Sequence, residues 1–190
     1  DKLGYLTQCP TNLGTGMRAS VMLHLPALEK SRTIGRIAGN LSKLGLTIRG
    51  AYGEGSEPSG SLYQLSSQVR LGISEKAAIE NLECITKQLV SQEQQARERL
   101  AKSIDIQDSV SRSLGLLKSA MVMTHDEALK LLSNVRFGIL SGQIKDVTAD
   151  VVDSLMEKIE PATLMVNSGK NLSAQERDIE RAKILREALS

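Results

Sequence analysis

The groups in this chain best suited to chemistry are concentrated in one run, Cys9-Pro10-Thr11-Asn12-Leu13-Gly14-Thr15-Gly16-Met17-Arg18. Gly14 and Gly16 flank Thr15, so the backbone there can approach a ligand closely and turn its amides inward. Arg18 adds a planar cation suited to bidentate phosphate contacts. Pro10 and Thr11 follow Cys9 directly, and a hydroxyl donating to the sulfur favours the thiolate and lowers its pKa. The combination describes an anion site beside a rigidly held cysteine whose thiolate form is favoured. A glycine-containing hairpin around a buried cysteine accounts for the same pattern, and residue types alone leave both open.

Other polar residues carry less. His24 lies inside an apolar strand pattern, as a packed or ligand-edge residue rather than a catalyst. His125 stands at a helix start, where capping at the surface explains it. The two histidines and two cysteines lack metal-ligand spacing, so no metal site is expected from them. Cys84 reads as structural, and Met121, Met123, Met156 and Met165 as core filling.

These groups need a frame. Residues 3–8 and 18–25 read as strands joined by the Gly-rich loop, the second ending at Pro26. A helix is expected over 27–44, with Ile34, Ile37, Leu41 and Leu44 on one face and Gly45 as its stop. A short strand at 46–49 precedes a Gly-, Ser- and Pro-rich loop over 50–60. Residues 61–69 return to a strand, with Leu62, Gln64 and Ser66 on one face and Tyr63, Leu65 and Ser67 on the other. From Ser74 the period changes to helical and runs to about Ala101; its polar end, 92–99, is expected along the surface. Thr124–Glu127 and Ser173–Glu176 both fit a capping box. They start helices over 124–141 and 173–189, with further helices near 106–119 and 148–159. The boundary falls near Ser103, giving domains 1–103 and 104–190.

Composition narrows the function. At 190 residues the chain can bury a substantial core. With no Trp, three Tyr and one Phe, it lacks the stacking platforms that single-stranded nucleic acid requires. The net charge of +2 comes from interspersed signs, with no polybasic run for DNA or an anionic membrane. No apolar stretch approaches the roughly 20 residues of a membrane-spanning helix, and no signal peptide is recognised. Two cysteines in unlike contexts argue against a disulfide framework and for a reducing, cytoplasmic setting. The chain opens at Asp1-Lys2-Leu3-Gly4-Tyr5-Leu6 without Met, directly in strand-like sequence, and reads as a piece of something longer.

The run CPTNLGTGMR, from Cys9 to Arg18, resembles the signature of the ATP:guanidino phosphotransferase (phosphagen kinase) family, and Ile48-Arg49-Gly50 resembles a second family segment. The resemblance implies that Cys9 sits against the substrate guanidinium as a thiolate and that Arg18 and Arg49 bind nucleotide phosphates. The segment Ala51-Tyr52-Gly53-Glu54-Gly55-Ser56-Glu57 departs from the small-molecule kinases and is similar to the protein-arginine kinase branch. Glu54 there is a candidate to pair with the target guanidinium; a solvated loop carboxylate is its alternative reading. Gln64 stands where small-molecule kinases tend to have an acidic residue. Ser66-Ser67-Gln68-Val69-Arg70-Leu71-Gly72 also follows the family.

The region beyond the long helix resembles the helical C-terminal part of the same bacterial branch. Asn171-Leu172-Ser173-Ala174-Gln175-Glu176-Arg177-Asp178 is similar to its phosphoarginine-binding segment. Arg177 would grip the phosphate and Asp178 the guanidinium of one modified side chain; a capped surface helix with charge pairs accounts for the same residues. The resemblance thus implies an α+β fold, an antiparallel sheet flanked by helices, as the partial guanidino kinase catalytic domain. An all-helical dimerisation and phosphoarginine-binding domain follows. It further implies ATP and Mg²⁺, protein substrates phosphorylated on arginine, a Clp-type protease in a stress pathway and a homodimer. The family's further arginines and carboxylate base lie upstream of the Cys9 motif, so this chain alone is expected to be catalytically incomplete. A phosphagen kinase for a free guanidino metabolite and a non-enzymatic phosphoarginine-binding module are the competing functions.

Overall fold

The computed structural model describes residues 8, 9, 12–50 and 59–190. The chain divides into two compact units, residues 1–96 and 97–190.

Among the described residues of the first unit, three short strands form one antiparallel sheet. They are β1 (Ser20–His24), β2 (Leu46–Gly50) and β3 (Leu62–Ser67), in the order β1-β3-β2. Cross-strand register places Val21, Leu65 and Ile48 in one row and Leu23, Tyr63 and Gly50 in the next. Leu23, Tyr63, Leu65 and Leu46 are buried on this inner side, as the alternation of β3 requires.

Between β1 and β2 run two helices, α1 (Pro26–Lys30) and α2 (Ile34–Lys43). The single helix expected over 27–44 is interrupted. Ser31 Oγ donates to Ala27 O (2.6 Å), Thr33 Oγ1 donates to Leu28 O (2.9 Å), and Arg32 adopts a left-handed φ of 54°. Such side-chain bonds offer the backbone an alternative to helix continuation. Pro26 ends the strand and also opens α1, where its missing N–H costs nothing.

The long helix α3 (Glu75–Leu100) buries Ala78, Leu82, Leu89, Glu93 and Ala96. The polar stretch 92–99 is therefore not wholly a surface feature. Glu93 is 4% exposed, and its Oε1 and Oε2 accept the N–H groups of Ala27 and Leu28, each at 2.9 Å. A buried carboxylate needs such donors, and charge-assisted bonds of this kind contribute roughly 1.5–3 kcal/mol each.

The second unit contains five further helices: α4 (Ile104–Ser119), α5 (His125–Leu140), α6 (Ala149–Lys158), α7 (Pro161–Ser168) and α8 (Ala174–Leu189). Helix α4 packs on α5 and α8, α5 on α6, and α7 on α6 and α8. Leu117, Met123, Leu129, Leu132, Leu155 and Leu185 are central in its core. Gly138 permits the close approach of α4 and α5, since a Cβ there would lie 2.4 Å from Val110 Cγ1.

Both expected helix starts carry caps. At Ser173 the capping box is complete, with the hydroxyl and the Glu176 carboxylate each taking a backbone N–H. At Thr124 the hydroxyl accepts from Glu127 N–H (3.3 Å). Helix α7 is an addition to the expected set. Met123 is buried as expected, but Met121 is 69% exposed and is not core filling. His125 is more than a surface cap: Nε2 lies 3.3 Å from Glu160 Oε1 and the side chain is only 20% exposed.

Candidate functional site

The Gly-rich run lies against the segment that follows β3. Thr15 N–H donates to Arg70 O (3.0 Å), Arg70 Nε donates to Met17 O (3.3 Å), and Asn12 N–H closes a turn on Cys9 O (2.9 Å). Gly14 makes this contact possible: its φ is 99°, and a Cβ there would stand 2.0 Å from Arg70 O. No other residue type meets both conditions. Cys9 is exposed, which removes the reading of this run as a hairpin around a buried cysteine. Pro10, Thr11 and Glu54 lie outside the described residues.

The outer side of the sheet carries the rest. Row by row, Ser20 faces Ser66 and then Thr47, and Met22 faces Gln64 and then Arg49; His24 faces Leu62. Gln64 Nε2 donates to Ser20 Oγ (3.2 Å), which confirms that these residues share a face. Met22 is 54% exposed in the middle of it. Arg49 and His24 are half-buried there, and exposed Arg18 stands two residues before Ser20 on the β1 path. Ala19 continues that path, its O accepting from Ser67 N–H (2.9 Å).

Strand geometry sets the Cα atoms of Met22 and Arg49 about 9.5 Å apart across β3, and Arg18 stands two residues before β1, on the diagonal from Arg49. Two long guanidinium side chains at the ends of that diagonal can converge on an extended polyanion such as a polyphosphate. Motif reading found Arg18 and Arg49 but not Met22 or the row that joins them. The period-2 alternation of 18–25 held the signal, since it puts Arg18, Ser20, Met22 and His24 on one side.

Tyr63, on the inner face, donates its hydroxyl to Glu29 Oε2 (3.0 Å). Burial pushes this phenol's pKa well above its ordinary value, and the neighbouring Glu29 charge and hydrogen bond add to the shift.

In the second unit, Arg177 closes the first turn of α8 and Asp178 follows it, both half-buried. Arg177 Nη1 donates to Leu172 O (2.8 Å). Asp178 Oδ1 accepts from Arg181 Nη1 at 2.6 Å, and Asp178 O accepts from Met123 N–H. Arg181 is 1% exposed and also donates to Ile159 O and Met123 O. Thus Asp178 sits on a buried guanidinium hub that sequence reading missed, while Arg177 is tied to the Leu172 carbonyl.

Comparison with known proteins decides the family. The model for the ATP:guanido phosphotransferase C-terminal catalytic domain matches residues 1–96, and that for the protein-arginine kinase McsB C-terminal domain matches 103–190. The chain belongs to the ATP:guanido phosphotransferase family. Along its full length it is 51% identical to the "Protein-arginine kinase" of Halothermothrix orenii and covers 55% of that protein. The proteins of the same name from Clostridium novyi and Geobacillus are each 48% identical over all of this chain, which covers 56% and 53% of them. The chain therefore spans about half the length of the curated relatives it matches. The α+β architecture, a small antiparallel sheet with helices, agrees with a guanido phosphotransferase C-terminal catalytic domain. No helix among the described residues is long and apolar enough to cross a membrane.

Proposed function

We propose that this chain is the nucleotide- and guanidinium-gripping part of a protein-arginine kinase, which transfers the γ-phosphate of ATP to arginine side chains of proteins. Two observations support the reading: Arg49 shares a cross-strand row with Gln64 and exposed Met22, and Arg18 precedes the β1 strand of that row, in a chain about half identical to protein-arginine kinases. The nucleotide lies over that face with its phosphates on the two arginines. Mg²⁺ arrives bound to those phosphates, the usual mode for an ion that keeps its water and phosphate ligands.

Cys9, as thiolate, and Glu54 hold the target guanidinium, while the arginines neutralise charge on the transferring group. Residues outside this chain supply the family's remaining arginines and carboxylate base. Arg177 and Asp178 bind phosphoarginine as a regulatory ligand, with Asp178 shared between that ligand and Arg181. On the same reading the modification marks clients for a Clp-type protease in a stress response, and the enzyme works as a cytoplasmic homodimer. The domains are a catalytic part, 1–103, and a helical dimerisation and phosphoarginine-binding part, 104–190.

Mass spectrometry after incubating the full-length protein with MgATP and either a protein or free arginine tests the assignment. Phosphoarginine on the protein is expected; transfer to the free amino acid alone would replace the reading by a small-metabolite kinase. For the second site, calorimetry should show phosphoarginine binding that Arg177→Ala and Asp178→Ala each abolish. Identical heats in wild type and both variants would remove that site.

A further inference from the structure

The sheet face is held from below by a buried acid-to-amide clamp. Pro26 opens α1 and has no N–H, so Ala27 and Leu28 carry the first two amide donors of the helix. Both go to Glu93 of α3, one to each carboxylate oxygen, at 2.9 Å. The same turn is tied at two further points. Leu25 N–H donates to Ser61 O (2.9 Å), and Glu29 Oε2 receives the Tyr63 hydroxyl (3.0 Å). Ser61 is itself buried in a left-handed conformation, φ 57°, so the turn it ends is closely defined. Tyr63 pairs with Leu23 on one side and Gly50 on the other. Its chain neighbour Gln64 lies directly between Met22 and Arg49. A carboxylate that comes from more than sixty residues away thereby fixes where β1 ends and how β3 lies beneath the Arg49 row.

We propose that Glu93 is a positioning residue for the nucleotide face: through α1, Glu29 and Tyr63 it holds the Met22–Gln64–Arg49 row in its binding geometry. This rests on the reading of that face as the nucleotide site. The dependence has a physical basis, because a displacement of about 1 Å in a binding or reacting group can cost on the order of a hundredfold. Glu93→Gln keeps the shape but presents an amide NH₂ to one of the two backbone donors.

The test is calorimetric titration of the full-length protein with MgADP, well below each variant's melting midpoint, beside a thermal melt. Wild type binds, Arg49→Ala does not, and Glu93→Gln binds roughly tenfold more weakly although folded. Should Glu93→Gln fail to fold, Tyr63→Phe removes one hydroxyl only and is expected to weaken MgADP about threefold, whether or not its midpoint falls. A lowered midpoint with the wild-type dissociation constant, in whichever of the two folds, overturns the proposal and leaves Glu93 a stabiliser. If wild type and Arg49→Ala bind MgADP alike, or neither binds, the nucleotide reading of the face falls first and the positioning role falls with it.

Discussion

Single residues set the sharpest constraints. Gly14 combines a positive φ with a backbone oxygen where its Cβ would be. Gly14→Ala should therefore detach the loop from Arg70 and expose it to limited proteolysis, while circular dichroism of the helices stays near wild type. Arg18 and Arg49 are charge-assisted donors in the proposed site; replacing either with Ala should weaken ATP on the order of tenfold to a hundredfold in a direct binding titration. Arg49→Lys should recover little of that, because an ammonium lacks the planar fork. Arg181 belongs to another class. It is buried with three acceptors, and truncation to Ala strands Asp178 and two carbonyls at a cost of about 3–5 kcal/mol in chemical denaturation. The motif residues were legible because their types and spacing are specific. Glu93 and Arg181 were not, since nothing in a run such as Gln92–Arg99 distinguishes a carboxylate that turns inward from its solvated neighbours.

Helix ends and breaks show where sequence reading worked and where it stopped. Strands β1 to β3 and the long helices fall close to their expected spans, because alternation in 62–67 and capping residues at Thr124 and Ser173 are local signals; the strand expected over 3–8 lies outside the described residues. The break at Ser31–Thr33 depends on hydroxyls choosing carbonyls about one turn back, a choice that residue types alone do not announce. Helix α7 is eight residues long and opens on Pro161. Its pattern is too short to register a period, although Glu160-Pro161 is a recognisable start. The Ser173 cap yields a pH prediction. Its hydrogen bonds from the Ser173 side, with a minor contribution from Lys170, hold the Glu176 carboxyl below its ordinary value. A carboxyl depressed in the folded state stabilises above its unfolded pKa, near 4.5, and loses that contribution as pH falls through the lower folded value. Glu176→Gln should therefore lower the melting midpoint of the helical unit at pH 7. The gap from wild type should close on acidification below that window.

At the scale of the molecule, the two units are built differently. Among the described residues, the sheet unit buries Leu23, Leu46, Tyr63 and Leu65 on the inner side of its strands, and the helical unit encloses a continuous aliphatic cluster around Leu129, Leu132 and Leu155. Leu132→Ala should reduce amide protection throughout 104–189 by about 2–5 kcal/mol, read by native-state hydrogen exchange. Gly138→Ala should act in the same region by overpacking against Val110, at roughly 1–3 kcal/mol. The exposure of Cys84, beside that of Cys9, has a practical consequence of its own. The chain holds only these two thiols, and a solvent-facing helix position such as Cys84 tolerates replacement almost without cost. Cys84→Ser thus leaves Cys9 as the one thiol of this chain. The alkylation rate of Cys9 against pH then traces its ionisation, and shielding by an arginine peptide marks the guanidinium's seat without any turnover.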